Sequence, residues 1–223
     1  KDLCADGPAE DISVKVWLRL PWLTLWESDR RVFLRPNDWL NDNHLFGGMR
    51  QIEAAVPGSG QSQPPSMSAA HASARNTYRF SEKMCSTAIH GGTINHWTVS
   101  AEMTGQNSQG STAPVYIDAF MPLIPDTVRR TLLLLYKLPD ANSVRIRRLN
   151  AYKQEDCFSC GHRVLGWAYL IAHGGSIENV ASTYFDVVQI HAWVKRLLEV
   201  GGEAGPPPGH DCPRGRESYQ LLL

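Results

Sequence analysis

The chain has 223 residues, 43% of them hydrophobic, enough for a real core. Its 22 Lys and Arg balance 22 Asp and Glu, so no global charge points to nucleic acid or an anionic membrane. No apolar run approaches the roughly 18 residues of a membrane span; the longest, TLLLLY at 131–136, reads as part of a buried helix.

The expected order begins with a loose stretch over 1–13. VKVWLRLPWLTLW (14–26) is apolar and Trp-rich and suits a strand ending at Pro21. PNDWLNDNHLFGGMRQIEAAV (36–56) opens on turn residues and becomes helical near Asn41 or Asp42. Residues 57–75 are rich in Pro, Ser, Gly and Ala without periodicity, which predicts a mobile insertion. NTYRF (76–80) suits a short strand, and His90 falls in a Gly-rich loop. Over 95–103 the sequence alternates: Trp97, Val99, Ala101 and Met103 share one face, His96, Thr98, Ser100 and Glu102 the other, the pattern of a half-buried strand. A polar hairpin loop leads to PVYIDAF (114–120), with Val115, Ile117 and Ala119 opposite Tyr116, Asp118 and Phe120.

Asp126 is expected to cap a helix whose stripe is Val128, Leu132, Leu135 and Tyr136. SVRIRRL (143–149) reads as a basic strand. From Cys160 to about Ala172 the pattern is helical and stops at Gly174-Gly175. Ser176 caps a further helix, and Val187, Ile190, Val194 and Leu197 mark another. Residues 201–223 read as a disordered tail, which leaves one domain over 1–200. The fold class is α+β: helices first, a central antiparallel sheet, then a helical C-terminal part.

Five cysteines, Cys4, Cys85, Cys157, Cys160 and Cys212, are too few and odd in number for a disulfide framework. A reducing setting in cytoplasm or nucleus is expected, that of a host cell if the protein comes from a pathogen. The start KDLCADG lacks a basic-then-apolar leader and an initiator Met, so a piece of a longer protein is expected.

QEDCFSCGHRVLG (154–166) holds two cysteines three apart. A structural zinc site needs four ligands, usually as two close pairs, and neither a second CxxC nor an HxxxH exists. A redox pair would sit in a βαβ pattern, which is missing. Two buried structural cysteines are the bland reading. The remaining one is a single nucleophile. Cys160 stands where the helical pattern begins, and a thiol at a helix N-terminus feels the positive end of the dipole, which favours the thiolate. Gly161 leaves room for a substrate backbone. A thiol nucleophile also needs a base and a group to orient it. His96 and Asp118 lie on the polar sides of successive strands, and Gln154 is able to donate to an oxyanion beside the Cys160 N–H. Each has an ordinary alternative: a packed His, a turn Asp, an uninvolved Gln.

WLND (39–42), HW (96–97), YID (116–118) and Q-x5-CG (154–161) occur in that order. Together they resemble the SUMO-specific and related ubiquitin-like proteases of the Ulp/SENP type, a papain-like clan of cysteine peptidases. The resemblance spans about 39–172, through these short blocks alone. It implies a mostly antiparallel sheet flanked by helices, with the nucleophile at the N-terminus of a central helix. It implies Cys160 as nucleophile, His96 as base, Asp118 as its orienter and Gln154 as oxyanion donor. Trp39, Trp97 and Asp42 belong to substrate binding, the two Trp walling a narrow tunnel for a Gly-Gly tail. Flat aromatic walls admit residues without side chains and reject others by size.

No metal or organic cofactor is implied. The implied partner is a ubiquitin-like modifier, SUMO before ubiquitin, with its conjugates, and not nucleic acid. The pattern departs from the family at Ser159, where Asp is usual and the acid is displaced to Asp156, and at His162, where an apolar residue is usual. The loop between the His and Asp strands is longer. Same-clan alternatives are a viral processing protease and an effector-type acetyltransferase, which usually carries Glu at the place of Asp118. The alternative without turnover is an inactive modifier-binding module.

Overall fold

The computed structural model describes residues 15–35, 37–57, 86–90, 96–103, 113–118, 124–135, 147–152 and 154–211. The expected insertion at 57–75, apart from Pro57, and the strand at 76–80 lie outside these residues. The described chain opens with an antiparallel hairpin, β1 (Val16–Leu20) and β2 (Leu23–Trp26). The first strand ends at Pro21 as expected, and the chain turns there into a second strand. A short helix α1 (Glu27–Arg30) and a 3-10 turn (Arg31–Leu34) follow.

Helix α2 (Asp42–Ala55) starts where its cap dictates. Asn41 Oδ1 accepts from His44 N–H at 3.2 Å, and Asn41 N–H donates back to His44 Nδ1 at 3.1 Å. That engages Nδ1 as an acceptor, so His44 Nε2 carries the proton and donates to the Asp29 carbonyl at 2.9 Å. Burial holds His44 below its ordinary value, which keeps it neutral.

The central sheet runs β3 (Ser86–His90), β4 (Trp97–Met103), β5 (Ala113–Asp118), β6 (Arg147–Asn150) in that spatial order. The first two pairings are antiparallel and β5–β6 is parallel. His90 ends β3, opposite Trp97, and is not in a loop. The reading of β4 as half-buried fails over 97–101: Thr98 and Ser100 on the polar face are as buried as Val99 and Ala101.

Helix α3 (Asp126–Leu135) buries Val128 and Leu132 as expected. Helix α4 (Cys160–Ala172) is the centre of the core. Its Val164, Leu165 and Ala168 join Val99, Ala101, Val115, Ile117 and Leu149 of the sheet in one apolar cluster. It also crosses α2 closely, at a spot where a Cβ on Gly48 would meet Leu165 Cδ2 at 2.7 Å.

Ser176 and Asp186 cap α5 (Ile177–Ser182) and α6 (Val187–Val200), accepting from the N–H of Asn179 and Gln189. The stretch after 200 continues the structure through 211, against the expected tail. A 3-10 turn (Gly201–Ala204) leads to β8 (Gly209–Asp211), which pairs with β7 (Thr183–Phe185). Trp193 Nε1–H donates to the Gly205 carbonyl at 3.0 Å, and Gly209 sits so close to Phe185 that a Cβ would meet its Cε1 at 2.8 Å. Residues 212–223 lie outside the described residues.

Candidate active site

The register of β4 and β5 builds the centre. Val99 pairs with Ile117 and Ser100 with Tyr116. One more step puts Thr98 opposite Asp118 and leaves His96 diagonal to it on the same face, within reach of a long side chain. His96 Nε2 lies 2.8 Å from Asp118 Oδ1. The other carboxylate oxygen accepts the Tyr116 O–H at 2.6 Å. Asp118 and His96 are 2% and 4% exposed, so this charge is held out of water by named partners. Tyr116 is a member of the site that the sequence reading passed over. The signal existed: it stands two residues before Asp118 on a strand, hence on the same face. Burial and the Asp118 charge push its phenol far up, so it stays a donor.

Cys160 is the first residue of α4 and is 2% exposed. It is the second hydrogen-bond partner of His96. Since Asp118 holds Nε2, Nδ1 is the ring nitrogen left for the sulfur. Burial pulls His96 down, but hydrogen bonds to Asp118 and Cys160, and the charges of both, outweigh it and raise His96 from 6.5 to about 9. The imidazole is thus protonated at neutral pH. Three sequence-predicted residues from three elements meet here.

Gln154 is buried at 3% exposure just before α4. Its Nε2 donates to the Asp156 carbonyl at 2.8 Å and to Asp156 Oδ1 at 3.1 Å. The amide expected to face an oxyanion is thus held by Asp156. Asp156 Oδ1 also accepts the N–H groups of Phe158 at 2.9 Å and Ser159 at 2.6 Å. Burial pushes Asp156 up, but the hydrogen bonds from Ser159 and Phe158 win and hold it below the usual carboxylate range.

Trp97 is buried, and its Nε1–H donates to the Leu40 carbonyl at 3.0 Å. That bond ties the His96 strand to the segment carrying Trp39. Trp39 is half-buried against the core. Asp42 is the first residue of α2 and half-buried. Gly161 also serves the packing of α4. A Cβ there would stand 3.1 Å from Leu40 Cβ and 3.2 Å from Trp97 Cδ1, so the glycine lets α4 pack against those residues.

His162, two places past the thiol, points away from it. Its Nε2 lies 3.0 Å from His191 Nδ1, with the rings stacked. Cys157 is exposed, and both Cys157 and Cys160 are free thiols. Among the described residues no group of His, Cys, Asp and Glu is arranged to hold a metal ion, and no helix is long and apolar enough to cross a membrane.

No family model matches the sequence, and no curated protein matches it. Solved structures do. The SUMO protease Ulp1 with its catalytic cysteine oxidised to a sulfenic acid is similar over 82% of this chain and 87% of that one, with a TM-score of 0.59 at 14% identity. The C-terminal Ulp1 protease domain in complex with Smt3, the yeast ortholog of SUMO, gives 0.59 at 14% identity over 82% and 86%. The Xanthomonas campestris effector XopD bound to ubiquitin gives 0.50 at 15% identity over 80% and 87%. What is shared at such identity is the fold. The chain has the papain-like α+β fold of Ulp-type cysteine proteases.

Proposed function

We propose that this chain is a cysteine isopeptidase that cleaves after the C-terminal Gly-Gly of a ubiquitin-like modifier, SUMO first and ubiquitin second, and so releases it from target proteins. The observation that carries the reading is His96, buried between Asp118 at 2.8 Å and the Cys160 thiol at the head of α4. In the proposed reaction the Cys160 thiolate attacks the glycine carbonyl. The backbone N–H groups at the start of α4, which lack partners inside the helix, face the developing oxyanion. His96 gives its proton to the leaving lysine amine, and a thioester forms. Water, deprotonated by His96, then hydrolyses the thioester and restores the thiol. Asp118 keeps the ring oriented, and Tyr116 holds Asp118. Trp39 lines the path of the tail. Such a substrate sets the reaction in the cytoplasm or nucleus.

The test is a panel of modifiers whose C-terminus carries an electrophile, SUMO, ubiquitin and others among them. Covalent capture by Cys160, with SUMO fastest, is the expected result. Capture of none, by a folded chain whose Cys160 reacts with a small alkylating agent, refutes the substrate class.

A further inference from the structure

Cys157 and Cys160 stand at the two ends of one turn. Asp156 Oδ1 accepts the N–H groups of Phe158 at 2.9 Å and Ser159 at 2.6 Å, and Oδ2 accepts the Ser159 hydroxyl at 2.6 Å. A carboxylate that takes the N–H groups two and three residues ahead winds the chain as a helix cap does. Ser159 has φ −80° and ψ 2°, the values of the third residue of a type I turn. The first and fourth residues of that turn are Cys157 and Cys160. The ends of such a turn lie within about 7 Å between Cα atoms, and a disulfide asks for about 4.4–6.8 Å. Arg163 N–H donates to the Ser159 carbonyl at 3.0 Å, so the turn runs straight into α4.

The two thiols have unlike settings. Both are free, but Cys157 is exposed and Cys160 is 2% exposed against His96. A bulky reagent in solution therefore meets Cys157 first. Cys160, the sulfur with a histidine beside it, is then the neighbour placed to attack whatever Cys157 has taken up. A bond of this kind needs only two sulfurs within reach, and not the βαβ setting of a disulfide oxidoreductase.

We infer that Cys157 is a thiol-modification site that exchanges with a small disulfide of the glutathione type and passes the oxidation to Cys160, closing a Cys157–Cys160 bond across the turn. In the first exchange the Cys157 sulfur attacks one sulfur of the small disulfide. A mixed disulfide forms, the S–S bond of the reagent breaks, and one small thiol leaves. In the second the Cys160 sulfur attacks the Cys157 sulfur. The Cys157–Cys160 bond forms, the mixed disulfide breaks, and a second small thiol leaves. Two electrons pass from the cysteine pair to the reagent, and the two thiol protons end on the released thiols. The closed bond occupies the Cys160 sulfur, and a reducing dithiol reopens it. That closure stops modifier cleavage rests on the proposed role of Cys160 as nucleophile; the exchange itself does not.

The experiment treats the full chain with oxidised glutathione and follows two readouts. Cleavage after Lys153 and Arg163 gives one peptide, 154–163, that holds both cysteines and none of the other three. In wild type its mass should fall by two hydrogens, with no lasting glutathione adduct, and Cys160 should lose its reaction with iodoacetamide until dithiothreitol is added. Cys157→Ser changes an exposed side chain. It should slow the oxidative loss of Cys160 reactivity about tenfold or more, because the intramolecular step is gone. Cys160→Ala should leave glutathione standing on Cys157.

A wild-type chain that stops at a glutathione adduct on Cys157, with Cys160 still alkylating, overturns the inference. So does equal loss of Cys160 reactivity in wild type and Cys157→Ser, or a disulfide that joins two chains instead of two residues of one. If Cys160→Ala does not fold by circular dichroism, wild type and Cys157→Ser decide the matter alone. Neither reagent carries a modifier. A chain that closes the bond yet ignores every modifier probe contradicts the substrate class alone.

Discussion

His96 Nε2 lies 2.8 Å from Asp118 Oδ1, while Tyr116 O–H binds the other oxygen of the same carboxylate at 2.6 Å. The carboxylate is thus clamped from both sides, and its charge is presented to one imidazole nitrogen. The proton on His96 is held to about pH 9 despite burial. The alkaline limb of kcat/KM should therefore fall near pH 9, where the imidazolium is lost. Asp118→Asn removes a principal cause of the elevation and should move that limb to lower pH while kcat drops. An unmoved limb would mean another group governs it. The stability sign follows from the same shift. His96 binds its proton more tightly folded than unfolded, so its contribution is fully present below about pH 6.5 and is lost as pH rises through about 9. The gap in Tm between wild type and His96→Gln should narrow across that window.

Cys157 and Cys160 differ in setting, which predicts opposite outcomes. Cys160 is buried against His96 and Cys157 is exposed with a free thiol. Cys160→Ala should abolish hydrolysis of a modifier fusion while binding of the modifier persists. Cys157→Ala should keep most activity. A dead Cys157→Ala with an active Cys160→Ala would reverse the assignment.

His162 and His191 make the fold acid-sensitive. Burial, and then repulsion by His191 and His44 were those rings protonated, hold His162 down to about 3, with Asp156 opposing and Arg163 reinforcing the shift; burial also lowers His191. These rings are neutral when folded and protonate when unfolded, so stability should fall as pH drops below about 6.5. His162→Leu replaces the group with an apolar one of similar bulk and should flatten the fall in Tm between pH 7 and pH 4.5. A slope as steep as wild type would remove this ring from the account.

The order WLND, HW, YID and Q-x5-CG was legible because each block marks an element boundary that brings a residue to the candidate site or caps a helix beside it: a helix cap at Asn41, the edge of β4 at His96, the end of β5 at Asp118 and the start of α4 at Cys160. Less was legible where tertiary contacts decide. Thr98, Ser100 and Tyr116 alternate with apolar residues and read as a wet face, yet all three are buried, and hydrogen bonding replaces solvent there. β3 lacks a pattern of its own and is defined by pairing with β4. The Gly- and Pro-rich stretch after 200 resembles a free tail by composition, but contacts with Trp193 and Phe185 seat it. The Gln154–Asp156 clamp depends on loop geometry that spacing does not encode.

The two tryptophans expected to act alike should behave differently. Trp97 is 5% exposed, bonded to the Leu40 carbonyl, and packed where a Cβ at position 161 would touch its ring. Its truncation creates a cavity beside Leu40 and Gly161, and Trp97→Ala should cost about 3–5 kcal/mol in denaturant unfolding. Trp39 is half-buried, one residue before the carbonyl that Trp97 anchors. It is only partly buried, and in the proposed function it is the wall that the substrate tail meets. Trp39→Ala should cost clearly less stability but raise KM or lower kcat, because the wall positions the scissile carbonyl over Cys160. The decisive comparison is a modifier ending in Gly-Gly against one ending in Ala-Gly. Wild type should reject the second, since its methyl group meets the indole face. Trp39→Ala should narrow that gap while losing activity on both. If wild type cleaves the two tails equally well, no aromatic wall screens the tail, and the Gly-Gly substrate class falls with it.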